Sequence, residues 1–135
     1  MNKMENKHKH LEFIQNVITR MNSNSFLIKA WTITLVSALF ALAAKDANRI
    51  YVLISYIVIT AFWILDGFFI SKERQYKDLY AVVALNDKTA IDFNMNTSSF
   101  NQGKRTWLAG IFSQTLIPFY GIFIATTLIL MFLIK

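Results

Sequence analysis

Two stretches of the chain carry residues whose types and spacing suit chemistry. The first holds a lone carboxylate, Asp66, near the end of the apolar run IYVLISYIVITAFWILDGFFI, residues 50–70. A carboxylate inside a membrane span is costly, so it faces a bundle interior, a partner charge or a water-filled cavity. Asp66 lies about one turn from the charges that follow, which leaves two expectations. It pairs at the interface with Lys29 or Arg74, or it stands with its copies in a ring at a pore mouth that favours cations. Lys29 sits at a similar depth in the preceding apolar run. A Lys29–Asp66 pair would weaken the ring and make the site structural.

The second stretch, SKERQYKDLY at 71–80, sets Lys72, Arg74 and Lys77 beside Tyr76 and Tyr80, and Lys104 and Arg105 follow at the end of the next loop. Cations that neutralise phosphates, interleaved with rings that stack on bases, suit a nucleotide or single-stranded nucleic acid. Membrane topology accounts for the same charges: Lys72, Arg74, Lys77, Lys88, Lys104 and Arg105 against Glu73, Asp78, Asp87 and Asp92 leave 71–105 at a net +2.

No constellation for catalysis accompanies them. Group transfer needs a nucleophile with a base, paired acids or a metal cluster. Here the eight acids are scattered, cysteine is absent, and Gly67, Gly103, Gly110 and Gly121 stand singly, without a phosphate loop. His8 and His10 lie in a polar N-terminal segment that reads as a solvated tail. The chain is therefore expected not to be an enzyme and to use no metal or cofactor.

The elements that must position these residues are apolar helices. With 135 residues, 55% of them hydrophobic, and a mean hydropathy of +0.40, the chain reads as one all-α membrane protein. Residues 1–25 form a cytoplasmic segment in which Leu11, Ile14, Val17, Ile18 and Met21 recur at helical spacing, and the NSNS of 22–25 is expected to end that amphipathic helix. It either lies on the membrane surface or couples neighbouring subunits.

Residues 26–70 make a transmembrane hairpin, with spans 26–44 and 50–70 joined by KDANR. Residues 71–105 continue the second span as a projecting helix, with Glu73–Lys77 and Arg74–Asp78 at i, i+4, followed by a loop. In that loop Ile91, Phe93 and Met95 alternate with polar residues, as in a short extended segment. It must pack on the projecting helices or on another subunit. Residues 106–135 hold no charge before Lys135; Trp107–Leu116 reads as an interfacial or kinked lead-in to a third span, residues 117–134, with Pro118 dividing the stretch.

Eleven of the fourteen Lys and Arg flank one side of these spans, against Lys45, Arg49 and Lys135 on the other. The positive-inside rule then puts the N-terminus and the long loop in the cytoplasm and the C-terminus outside. ALA at 41–43 imitates a signal-peptidase site, but the charged region before it is far longer than a secretory n-region, so the first span is expected to be retained.

Small residues form two stripes: Ala30, Thr34, Ser37, Ala41 and Ala44 on the first span, and Gly110, Gln114, Pro118, Gly121 and Ala125 on the third. Such stripes let backbones approach closely. One is expected to pack the three helices of a subunit and the other to join subunits, giving a homo-oligomer.

The run RMNSNSFLIKAWTITLVSALFALAAKD, residues 20–46, resembles a segment that recurs in small bacterial inner-membrane proteins of anti-phage defence loci. The layout of spans with a basic cytoplasmic loop is similar to the membrane effector of Hailong-type systems. The resemblance implies an oligomeric channel, with a tetramer as the candidate subunit number. It would be held closed by a nucleic-acid oligomer that a nucleotidyltransferase-like partner makes, and would open during infection to collapse the membrane potential. It transfers no residue-level motif. The expectation is thus a channel-forming effector of the inner membrane, gated by a nucleotide or single-stranded DNA oligomer. The alternative is a small membrane scaffold that docks a soluble partner and conducts nothing.

Overall fold

The computed structural model describes residues 2–87 and 90–134, so Lys88 and Lys135, two of the charges counted for orientation, lie outside the described residues. Four helices follow one another: α1 Lys3–Asp46, α2 Arg49–Leu85, α3 Trp107–Ile111 and α4 Leu116–Leu133. Short 3-10 turns occur at Ser98–Phe100 and Gly103–Arg105, and no strand occurs among the described residues. α1, α2 and α4 are long and apolar enough to cross a membrane. The protein is an all-α membrane protein.

The expected stop at residues 22–25 does not occur, and α1 runs through it as one helix of 44 residues. Asn and Ser weaken helix interiors because their side chains compete for nearby backbone groups. That preference amounts to a few tenths of a kcal/mol per residue and yields to a tertiary contact: Ser25 is buried and bonded to Asp66 on α2. At the other end the helices take up most of KDANR. The reversal needs only Ala47, in the left-handed region at φ 48°, and Asn48, whose side chain accepts the Ile50 N–H at 3.0 Å.

α2 is the central helix, packed by α1, by α3 beside its middle, and by α4 from Asp66 back to Arg49, which donates to the Ile134 carbonyl. In the spans the core joins Val36 of α1, Ile59 of α2, and Leu116 and Tyr120 of α4. A second core lies beyond the spans, where Ile14 and Ile18 of α1 meet Leu79 and Val83 of α2. The amphipathic stretch at 11–21 therefore packs within its own chain through Ile14 and Ile18 and does not lie free as a surface helix.

The loop closes over this second core through Met95 and Phe100. Its alternating segment makes no strand. Asp92, Asn94 and Asn96 each accept the backbone N–H two residues on, at 3.0, 2.9 and 2.9 Å, so the polar residues wind the chain into successive Asx turns. Phe93, at φ 55°, turns toward His10 and Phe13. His10 does not belong to a solvated tail: it is 2% exposed, and its Nε2 donates to the Asn94 carbonyl at 3.0 Å.

The lead-in is a separate short helix. α3 approaches α2 through two glycines, since a Cβ on Gly110 would collide with the Gly67 carbonyl and one on Gly67 would lie 2.8 Å from the Ile111 nitrogen. Two indoles fasten the contact in opposite directions: Trp63 Nε1 donates to the Ile111 carbonyl and Trp107 Nε1 to the Ile64 carbonyl, both at 2.8 Å. The chain then breaks at 112–115, and Pro118 falls in the first turn of α4, where its missing N–H has no intrahelical partner to lose.

Candidate functional site

Asp66 is fully buried, and three helices converge on it. Lys29 Nζ of α1 donates to Oδ2 at 2.6 Å, Tyr120 OH of α4 donates to the same oxygen at 2.9 Å, and Ser25 Oγ of α1 donates to Oδ1. Lys29 also donates to Ser25 Oγ at 2.7 Å, and its ammonium lies 5.9 Å from the centre of the Phe119 ring. Ser25 and Lys29 are one turn apart and so share a face. Tyr120 is held by parallel stacking on Trp63, with ring centres 5.8 Å apart.

The result is a neutral, fully bonded node inside one chain. Of the two expectations for Asp66, this conformation contains the pair with Lys29. Asp66 and Lys29 face the interior of the three-helix unit. Arg74, the other partner considered, donates to the Lys104 carbonyl at 2.7 Å. Ser25 and Tyr120 escaped the sequence reading. Their signals were faint: a serine one turn before the only lysine of its span, and a polar-tipped ring in a charge-free one.

A second polar node sits where α2 leaves the spans. Gln75 is 2% exposed. Its Nε2 donates to the Arg105 carbonyl at 2.9 Å and lies 3.3 Å from both Asn101 Oδ1 and Ser71 Oγ, while Oε1 accepts from Thr97 Oγ1 at 3.0 Å. Ser71 Oγ donates to the same Arg105 carbonyl at 2.7 Å. Gln75 thus staples the loop end to α2. It too was missed, because a glutamine among charges reads as solvated surface.

This stapling redistributes the residues expected to bind phosphates and bases. Tyr76 and Tyr80 pack against the core of Ile14, Ile18, Leu79 and Val83, so their rings are partly committed to it. Lys77 pairs with Glu73 at 2.7 Å, and Arg105 pairs with Asp78 at 2.7 Å, taking the carboxylate expected to serve Arg74. Lys72 reaches Gln75 Oε1 at 3.3 Å and lies over the Phe68 ring. Arg74 and Lys104 pair with no carboxylate among the described residues. These two cations are shared by two cavities. One, of ≈ 330 Å³, is lined also by Lys77, Asp78 and Arg105; the other, of ≈ 470 Å³, by residues of α3 and the break before α4.

The small-residue stripes lie elsewhere. Ala30, Thr34, Ser37, Ala41 and Ala44 are all exposed, because α1 buries the opposite face, with Ser25, Thr32, Val36 and Ala43. On the second stripe Gly110 packs on α2, whereas Ala125 is exposed and nothing lies within 4 Å of a Cβ built on Gly121. Apart from Gly110, neither stripe packs the three helices together. That part of the expectation is corrected: the interior is made by Val36, Ile59, Leu116 and Tyr120.

At the start of α1, Lys7 Nζ donates to Asp87 Oδ1 at 2.6 Å and holds that carboxyl below its ordinary range, with Lys3 adding to the effect. Among the described residues no three His, Asp or Glu side chains gather to hold a metal ion. No family model, curated protein or solved structure matches this chain.

Proposed function

We propose that the chain is a subunit of a homo-oligomeric channel of the bacterial inner membrane, with its N-terminus and loop in the cytoplasm and its C-terminus outside. In this reading a nucleotide or single-stranded DNA oligomer acts on the cytoplasmic module and controls opening, and infection ends in depolarisation. The observation that carries the reading is the continuity of α1 and α2, each of which passes unbroken from the spans into the module. A helix moves as a rod, so a shift of the module is a shift of the spans. The ligand class and the link to defence come from the resemblance of residues 20–46.

Assembly is supported by a match in depth. Measured from the α1–α2 turn, the exposed stripe from Ala41 to Ala30 lies at about 8 to 24 Å along α1, and a shallow groove from Tyr56 to Ile64 lies at about 10 to 22 Å along α2. That groove, lined by Tyr56, Ile57, Thr60, Ala61 and Ile64, faces away from the core. Subunits of a ring share one membrane plane, so the stripe of one copy meets the groove of the next at its own level.

One observation favours the other reading, a scaffold that conducts nothing. Asp66 is the only carboxylate within the spans, and it is neutralised by Lys29. Purified full-length protein in planar bilayers separates the two. Stepwise conductance that a single-stranded oligonucleotide changes, with duplex DNA of equal charge inert, is the expected result. A stable oligomer that stays silent with and without oligonucleotide sinks the channel and leaves the scaffold.

A further inference from the structure

We infer that the cavity bounded by Arg74, Lys104 and the break between α3 and α4 is a headgroup site for an anionic phospholipid, with the two cations holding its phosphate. The inference rests on depth, lining and rim, and it stands whether or not the assembly conducts.

Depth selects the source of the phosphate. Arg49 opens α2 and Arg74 lies 25 residues on, about 37 Å along the helix axis. A hydrocarbon core is about 30 Å thick, and about 40–45 Å with its headgroups. When Arg49 sits in one headgroup layer, Arg74 sits in the other. Residues 50–71 carry no charge except Asp66, which is neutralised within the chain, and the charges resume with Lys72 and Glu73 beside Arg74. The phosphates at that level belong to lipid.

The lining suits one phosphodiester. The cavity of ≈ 470 Å³ is walled by Arg74, Lys104, Phe112, Ser113, Gln114 and Thr115, together with Ala109. One guanidinium N–H of Arg74 is spent on the Lys104 carbonyl, which orients the remaining donors. Lys104 brings a point charge on an exposed side chain. No carboxylate lines this cavity; Asp78 lines the neighbouring one and is held by Arg105. Two cations without a carboxylate at a headgroup favour a lipid with net negative charge over a zwitterion.

The rim supplies what a lipid needs and a dissolved nucleotide does not. Phe112, in the wall of the cavity, stays 59% exposed, and Trp107 and Leu108 on the preceding turn of α3 stay 49% and 66% exposed. Their apolar faces suit the upper part of an acyl chain, and Trp107 is the kind of side chain that settles at the interface.

The test uses the full chain in nanodiscs of phosphatidylglycerol and phosphatidylcholine at equal mole fraction, with retained lipid counted by native mass spectrometry after transfer to mild detergent. The wild type should retain phosphatidylglycerol preferentially, and retention should fall about fivefold for each charge removed in Arg74→Gln and Lys104→Gln. Lys9→Gln, which removes an equal charge where Lys9 pairs with Glu12 on α1, should retain it as the wild type does. Arg74→Gln also loses a bond to the loop, so Lys104→Gln, whose exposed side chain makes no ion pair among the described residues, keeps the test valid should the first variant unfold. Equal retention of the two lipids, or a preference that survives Lys104→Gln, overturns the proposal. So does an oligonucleotide that binds through Arg74 and Lys104 while phosphatidylglycerol does not, which would give the cavity to nucleic acid.

Discussion

Asp66 and Gln75 are both buried on α2, at 0% and 2% exposure, yet one holds its neighbours with charge and the other without. Asp66 lies among helices whose backbone groups are spent on one another, as a membrane span requires. A staple there must be made of side chains, and its three partners are an ammonium and two hydroxyls. Gln75 lies where the loop offers a free carbonyl, at Arg105, together with Thr97 and Asn101. A neutral amide, donor and acceptor in one group, meets all three. The difference predicts how each fails: the charged node all at once, the neutral one by releasing a single segment.

The largest effect should follow from Lys29→Met, which leaves a buried carboxylate without its countercharge and should cost about 3–5 kcal/mol. Thermal or detergent unfolding followed by helicity measures it. Adding Asp66→Leu to Lys29→Met should recover most of the loss, because an apolar pair replaces a charged one of similar size. Costs that simply add in the double variant would show that the two residues are not coupled, and the contrast with Gln75 would lose its basis.

Gln75→Leu should be milder and local, about 1–3 kcal/mol, the cost of taking the amide from the Thr97 hydroxyl and Asn101 Oδ1 while the Arg105 carbonyl keeps its bond from Ser71. Amide exchange at 97–106 should quicken while the amides around Asp66 keep their protection. Global loosening in this variant would mean that the two nodes form one cooperative unit.

The smallest effect concerns a charge pair outside both nodes. Asp87 is exposed, and its carboxyl is depressed chiefly by the hydrogen bond from Lys7. A depressed carboxyl stabilises the folded state above its unfolded value, near 3.8, and loses that contribution as pH falls through the lower folded one. Between pH 7 and 5 the first turns of α1 should hold on Asp87 unchanged, and below about pH 4 their amide exchange should quicken. Asp87→Asn should remove this acid step, and an unaltered step in that variant would assign it to another carboxyl.

Several features were legible before any packing was known. Residues 26–44, 50–70 and 117–134 were recognisable as spans, and the Glu73–Lys77 spacing continued α2 beyond its span. The pairing of Lys29 with Asp66 was one of two outcomes their depths allowed. Other readings went astray where a residue's type outweighed its surroundings: Ser25 as a helix stop and His10 as tail. The stripe at Ala30, Thr34, Ser37 and Ala41 was visible as a periodicity, but not the direction it faces.

Run length, hydropathy and the place of Pro118 are properties of neighbours along the chain, so the sequence alone sufficed for the number of spans and the break before α4. Which polar side chains are partners and which are surface was settled only when three helices came together. A serine, a lysine, an aspartate and a tyrosine on α1, α2 and α4 become one node because the bundle brings them to the same depth and rotation. Spacing within one helix specifies a face. It does not specify what another helix, many residues away in sequence, will present to it.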